Sequence, residues 1–192
     1  MMQPFEFIIL LLSFVYTLAL THLLFASTRM IRHRRELILS WPHVMWMLVA
    51  LLNVVANWIS LWDFRKTVPL DLATIASGFI LAVLNYFMSA LVSPDFEAGE
   101  SYDLKRFHRC EGPTYIASIL VMVVVAIITN YLAGADLDVT NFASENALVV
   151  FMVPALVLGL AVRRPWAQSL APALMLALTV AYYVLYYPVL TD

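Results

Sequence analysis

Residues 5–35 read FEFIILLLSFVYTLALTHLLFASTRMIRHRR: a predominantly apolar run whose one acid is Glu6, closed by Arg29, Arg32, Arg34 and Arg35. A helix crossing about 30 Å of hydrocarbon needs about 20 such residues. No Lys or Arg precedes the run, and its basic cluster follows it, so it does not have the charge order of a cleaved signal peptide. It reads as a retained span with its N-terminus outside.

Working outward, five more stretches of this kind follow. The spans are 5–28, 42–62, 70–92, 114–133, 146–162 and 166–187. The fifth is short and carries Pro154 and Gly159, which predicts a kink or an extension beyond its apolar core. Helices are required because lipid offers backbone N–H and C=O groups no partners. A closed barrel needs alternating strands of about ten residues, and these runs do not alternate. The composition agrees: 63% hydrophobic, 12% charged, mean hydropathy +0.87. The expected fold is an all-α membrane protein, a single bundle of six transmembrane helices over residues 1–192.

Charge sets the orientation. The 1–2, 3–4 and 5–6 loops hold Arg29, Arg32, Arg34, Arg35, Lys105, Arg106, Arg109, Arg163 and Arg164, whereas the other side holds only Arg65 and Lys66. The positive-inside rule puts the three basic loops in the cytoplasm and both termini outside. The bases border membrane spans, which is unlike a soluble nucleic-acid binder. The first cluster, Arg29 to Arg35, could engage anionic lipid headgroups. Trp41, Trp46, Trp58, Trp62 and Trp166, with Tyr182, Tyr183, Tyr186 and Tyr187, stand near span ends and read as an aromatic belt. The longest loop, Ser93 to Pro113, includes a segment, Asp103–Glu111, that could form a short interfacial helix with Leu104 and Phe107 facing lipid.

Polar residues in lipid usually face the bundle interior. Spacings of three and four place Ser13, Thr17 and Thr21 on one face of the first span, Asn53, Asn57 and Ser60 on one face of the second with Trp46 and Ala50 on the same stripe, and Gly78, Ala82, Asn85 and Ser89 on one face of the third. Small residues permit close approach, and amides and hydroxyls hydrogen-bond across helices. Spans one to three are therefore expected to form a tight subbundle, with the asparagines acting either as packing groups or as a polar solute or ion pocket. Span four is strongly β-branched and is expected to face lipid. Pro154 and Pro172 are hinges or tolerated kinks.

All four histidines fall toward one side of this topology. His22, His43 and His108 could share a metal or haem at the cytoplasmic boundary, completed by Cys110, Glu111 or Asp103. No two histidines have helical i,i+3 or i,i+4 spacing, and no HExxH occurs. The alternative is an interfacial His43, solvated His33 and His108, and a His22 bonded to a neighbouring helix. One cysteine excludes an intramolecular disulfide framework and any CxxC site. There is no P-loop, GxGxxG or GxSxG. No Asp or Glu lies mid-span, which disfavours a proton-driven carrier. The acids gather in loops: Asp63, Asp71, Asp136, Asp138 and Glu145 on one side, and Asp95, Glu97, Glu100, Asp103 and Glu111 on the other.

Three stretches, Leu18 to Leu24 (LALTHLL), Ser40 to Trp46 (SWPHVMW) and Asp103 to Arg109 (DLKRFHR), resemble a group of small bacterial six-span membrane proteins of uncharacterised function. The resemblance covers about the first 115 residues. It implies a bacterial inner-membrane setting and carries no activity or ligand.

Three functions follow in order. The first is non-enzymatic handling of a small solute, lipid or ion, or a sensor or accessory-subunit role, alone, as a homo-oligomer or in a larger complex. The second is a redox or metal protein using His22, His43 and His108. The third is a lipid-modifying enzyme with His108 as acid–base and Arg106 or Arg109 on phosphate. The topology predicts that a tag at the N-terminus is cleaved by protease added outside the cell membrane, not by protease confined to the cytoplasm.

Overall fold

The computed structural model describes residues 4–62, 72–95, 102–133 and 146–186. Asp63, Arg65, Lys66, Asp71, Glu97, Glu100, Asp136, Asp138, Glu145 and Tyr187 lie outside the described residues. The elements are α1 (Pro4–Arg32), β1 (Leu37–Ile38), α2 (Trp41–Ser60), α3 (Leu72–Val92), β2 (Tyr102–Asp103), α4 (Leu104–Ala133), α5 (Ala147–Ala161) and α6 (Pro165–Tyr186). The protein is thus an all-helical, multi-pass membrane bundle. Five of the six helices among the described residues are long and apolar enough to cross a membrane, and α5 has 15 residues.

Local chemistry sets the boundaries. Pro42 sits in the first turn of α2, where its missing N–H costs no helical bond. Asp103 Oδ1 accepts from the N–H groups of Lys105 (2.8 Å) and Arg106 (3.1 Å), capping α4. The expected interfacial helix and fourth span are therefore one helix of 30 residues, continuous through Pro113. Leu104 is correspondingly buried rather than lipid-facing, and Phe107 is half-buried against the ring of His43. Helix α1 likewise runs to Arg32, carrying Arg29 and Arg32 on helix rather than loop.

The packing order is circular. Helix α3 packs on α4, α4 on α5, α5 on α6, α6 on α2, and α2 closes on α3. Helix α1 docks outside this ring, chiefly on α3 and less on α2. The expected three-helix subbundle is thus split: α3 makes its largest contact with α4, and α2 packs more on α6 than on α3. Helix α4 is central too. Ile116, Ile119, Met122 and Val123 are buried, while Val121, Val124 and Ile128 face outward. A helix apolar on every side gives no stripe to read, because lipid is as apolar as the core.

The α1 stripe also differs from expectation. Leu12, Tyr16, Ala19, Leu23 and Ala26 face inward, whereas Thr17 and Thr21 are exposed. Their hydroxyls donate to carbonyls four residues back, Thr17 to Ser13 (2.7 Å) and Thr21 to Thr17 (2.8 Å). A back-bonded hydroxyl carries no unpaired donor into lipid, so nothing drives it inward.

The ends of the bundle differ. Strands β1 and β2 pair in parallel, Leu37 with Tyr102 and Ile38 with Asp103, joining the first and second basic loops. Arg163, in the turn between α5 and α6, stands near His108. All three basic loops therefore share one face. Of the expected aromatic belt, Trp41, Trp58 and Trp166 are exposed, but Trp46 is fully buried.

Trp46 marks the tightest crossing. A Cβ added at Gly159 would lie 3.2 Å from both Trp46 Cζ2 and Ala171 Cβ, so α5, α2 and α6 meet where a methyl group fits only if its neighbours give by a few tenths of an ångström. Gly159→Ala should be close to neutral, its helix propensity gain of about 1 kcal/mol offsetting the crowding. Gly159→Val should destabilise the bundle by about 1–3 kcal/mol, measured by denaturant titration in micelles.

Candidate functional site

The second-span asparagines face a pocket between α2, α4, α5 and α6. It encloses about 490 Å³ with its open mouth included. Asn53 and Asn57 line it from α2, Met122 and Asn130 from α4, Val149 and Met152 from α5, and Thr179 and Tyr182 from α6. No charged side chain lines it among the described residues. Asn57, Asn130 and Tyr182 stand near the ends of their helices away from the basic loops, so the pocket occupies the opposite end of the bundle.

Each polar group there is held for a reason. Asn53 Nδ2 donates to Val49 O (2.9 Å), and Asn57 Nδ2 donates to Asn53 O (2.9 Å) and to Met122 Sδ (3.6 Å). With their nitrogens turned back on the structure, both residues have carboxamide oxygens to offer. Asn130 Nδ2 donates to Asn146 Oδ1 (2.9 Å), tying the end of α4 to the start of α5. Thr179 is 1% exposed, and its Oγ1 has no hydrogen-bond partner. A buried hydroxyl left unpaired costs about 1–3 kcal/mol, and in a pocket wall it is placed to pair with whatever fills the pocket.

The other expected polar residues lie elsewhere. Asn85 and Ser89 are fully buried on α3 and do not line the pocket; Asn85 Nδ2 donates to Leu81 O (2.9 Å), and its Oδ1 and the Ser89 Oγ are unpartnered. Ser60 bonds the Asn57 carbonyl (2.8 Å). Ser13 accepts from Trp58 Nε1 (3.3 Å), linking α1 to α2. Asn130, Asn146 and Thr179 were missed by a search confined to spans one to three. The same test of polar residues within apolar runs finds Asn130 and Thr179 when applied to spans four and six.

The histidines divide. His22 is exposed on α1, edge-on to Tyr86 of α3 at 5.3 Å between ring centroids. His33 is exposed and 3.6 Å from Glu36. His43 and His108 are buried, and both rings lie against Tyr115, at 5.8 and 6.0 Å. The expected three-histidine site is therefore not assembled, because His22 lies on the outer surface of α1. Among the described residues no three His, Cys, Asp or Glu side chains gather as a metal site. Cys110 and Glu111 are exposed. His108 turns into the bundle while Arg106 and Arg109 stay at the surface, so the acid–base and phosphate-binding roles are not brought together.

The buried pair has its own logic. His108 Nδ1 is hydrogen-bonded to the Tyr115 hydroxyl. Gln168 Nε2 donates to Gly159 O (2.8 Å) and Val162 O (2.7 Å), covering carbonyls at the end of α5. The Gln168 side chain also adjoins His108, and with both amide hydrogens committed it has only Oε1 to offer. Nε2 has no hydrogen-bond partner, and the direction of the Nδ1–Tyr115 bond follows the His108 tautomer. The cluster thus ties α4 to the α5–α6 turn at the basic face. Outside the spans, the Tyr102 hydroxyl is pushed up by partial burial and then by Asp95 and Glu111.

Tyr115→Phe should destabilise the bundle by about 1–3 kcal/mol by leaving the buried His108 Nδ1 unpaired. In a double-mutant cycle with His108→Leu the two losses should not add, read by unfolding in micelles.

Comparison with protein-family models, with curated proteins and with solved structures finds no match.

Proposed function

We propose that this protein is a non-enzymatic, six-span inner-membrane bundle that takes up a small uncharged polar solute in the α2–α4–α5–α6 pocket. In this reading α5 supplies the sixth crossing. The basic face lies in the cytoplasm of a bacterial cell, and the pocket opens on the outer side. The shared face of the three basic loops supports that orientation through the positive-inside rule.

One observation carries the solute reading: Asn53, Asn57, Asn130 and Thr179, from three helices, converge on one pocket without a charge among its described walls, and the Thr179 hydroxyl is unpartnered. Carboxamides and a hydroxyl suit a ligand that both donates and accepts hydrogen bonds. An ion would need compensating charge or a denser shell of oxygens. Polyols and amides of small size fit this chemistry.

Proteoliposomes should swell faster than protein-free liposomes in gradients of glycerol or urea. The Asn57→Leu/Thr179→Val double variant should fall to the protein-free rate. Thr179→Val alone should be at least as stable as the parent, since it removes a buried unpaired hydroxyl, yet it should slow swelling about 2- to 10-fold, the worth of one hydrogen bond. Parent protein swelling at the protein-free rate, or the double variant at the parent rate, would overturn the proposal.

A further inference from the structure

Helix α1 leans on α3 and touches α2 over less of its length, which leaves a groove between α1 and α2 on the outer surface of the bundle. Toward the basic face the groove opens into a hollow of about 670 Å³, lined by Leu23, Met30 and Ile31 of α1 and Val44, Met47 and Leu48 of α2. Leu23 and Met47 form a buried floor, while Ile31 and Leu48 stand at the exposed rims. The α2 wall from Val44 to Leu51 rises about 10 Å. The groove continues to a second hollow bounded by Tyr16, Val54 and Trp58, where the Trp58–Ser13 hydrogen bond crosses it. From Val44 to Trp58 is about 21 Å, against about 15 Å for half the hydrocarbon core. An acyl chain entering from the basic face therefore has apolar wall along its whole leaflet.

The mouth of the groove is charged. Arg34 Nη1 donates to Ile31 O (3.3 Å), which holds the guanidinium beside a lining residue and leaves most of its five donors open. Arg32 and Arg35 are exposed on the same turn. The one acid in this loop, Glu36, is near His33. Arg29 lies 4.6 Å over the Phe25 ring. We infer that the α1–α2 groove is a binding site for an anionic phospholipid of the basic-face leaflet, its acyl chain between Met30 and Met47 and its phosphate on Arg34. A second copy of the chain fits less well. Two copies lie the same way up in a membrane, so a two-fold contact on this groove would bring both Arg34 clusters to one depth with no acid between them.

The test is native mass spectrometry of the protein released from bilayers of equal phosphatidylglycerol and phosphatidylcholine, together with cross-linking by phosphatidylglycerol carrying a photoreactive acyl chain. The parent should retain phosphatidylglycerol preferentially and cross-link at Met30 or Met47. Arg34→Gln should lower the preference about fivefold, the effect of one basic residue near a membrane surface. Arg34→Lys should keep most of it. Leu48→Trp, which fills the groove from its exposed rim, should lose retention and cross-links while remaining folded by circular dichroism. Equal retention of the two lipids by the parent, a preference unchanged in Arg34→Gln, cross-links confined to other helices, or a lipid-free dimer would each overturn the inference.

Discussion

Lipid solvates an apolar side chain as readily as a protein core does, so burying leucine against leucine gives these helices little reason to associate. What remains is close fit and hydrogen bonding, and the architecture depends on a few places where both occur. The Trp46 indole reaches the backbone of α5 at Gly159, with Ala171 of α6 on the same contact. Tyr183 OH donates 2.7 Å to Leu52 O, tying α6 to α2 further along the same pair. Gln168 closes the α5–α6 turn through two carbonyls. Helix α2 is held by both α5 and α6 at these points, which lets it close the ring against α3.

The same constraint sorts the polar residues. Several polar residues within the spans satisfy themselves on their own helix: Thr17, Thr21, Asn53, Asn57 and Asn85 all donate to carbonyls four residues back, whereas the Ser89 and Thr179 hydroxyls do not. Once so satisfied, a threonine is indifferent to which side it faces, and Thr17 and Thr21 lie on the outside. An asparagine still has an acceptor oxygen, which is costly in lipid. Asn53 and Asn57 accordingly turn into the pocket; Asn85 turns into the packed interior, where its Oδ1 has no partner, so this cost does not account for it.

This difference explains what could be read in the chain. Five of the six spans, the shared basic face and the inward asparagines were legible because each rests on a large transfer cost: charge or an unpaired amide in hydrocarbon. The inward side of α1 and α4 was not legible. Placing Leu12 or Thr17, or Ile119 or Val121, toward lipid changes little in transfer free energy, and only the shape of neighbouring helices decides. Trp46 carried two readings, the aromatic belt and the inward stripe of the second span, and the second holds. A tryptophan one turn from the start of a span fits the headgroup zone as well as a core, and the deciding feature, a glycine 113 positions later against which it packs, is not local. The pocket was half legible, since Asn130 and Thr179 carry the same signal as Asn53 but reach it from distant spans. The His108–Tyr115–Gln168 contacts leave no pattern beyond one i,i+7 spacing.

The two ends of the bundle then differ in what they permit. At the end away from the basic loops, neutral polar groups surround open space. Toward the basic face the interior is filled by Trp46, Tyr115, Ile116, Ile119, Leu156 and Met175, each almost wholly buried. Around that plug the chain is cross-tied by the strand pair joining Leu37 and Ile38 to Tyr102 and Asp103 and by Gln168, which bonds two carbonyls at the end of α5. The pocket and this packed half therefore occupy opposite ends of the bundle, and within the packed half Trp46 lies against Gly159. That contact has no hydrogen bond to break, since Trp46 Nε1 has no partner. It is held by shape alone, in a membrane where shape is most of what holds helices together. The Trp46–Gly159 crossing is thus a joint of shape rather than of hydrogen bonds, and it brings α2, α5 and α6 together in the packed half of the bundle.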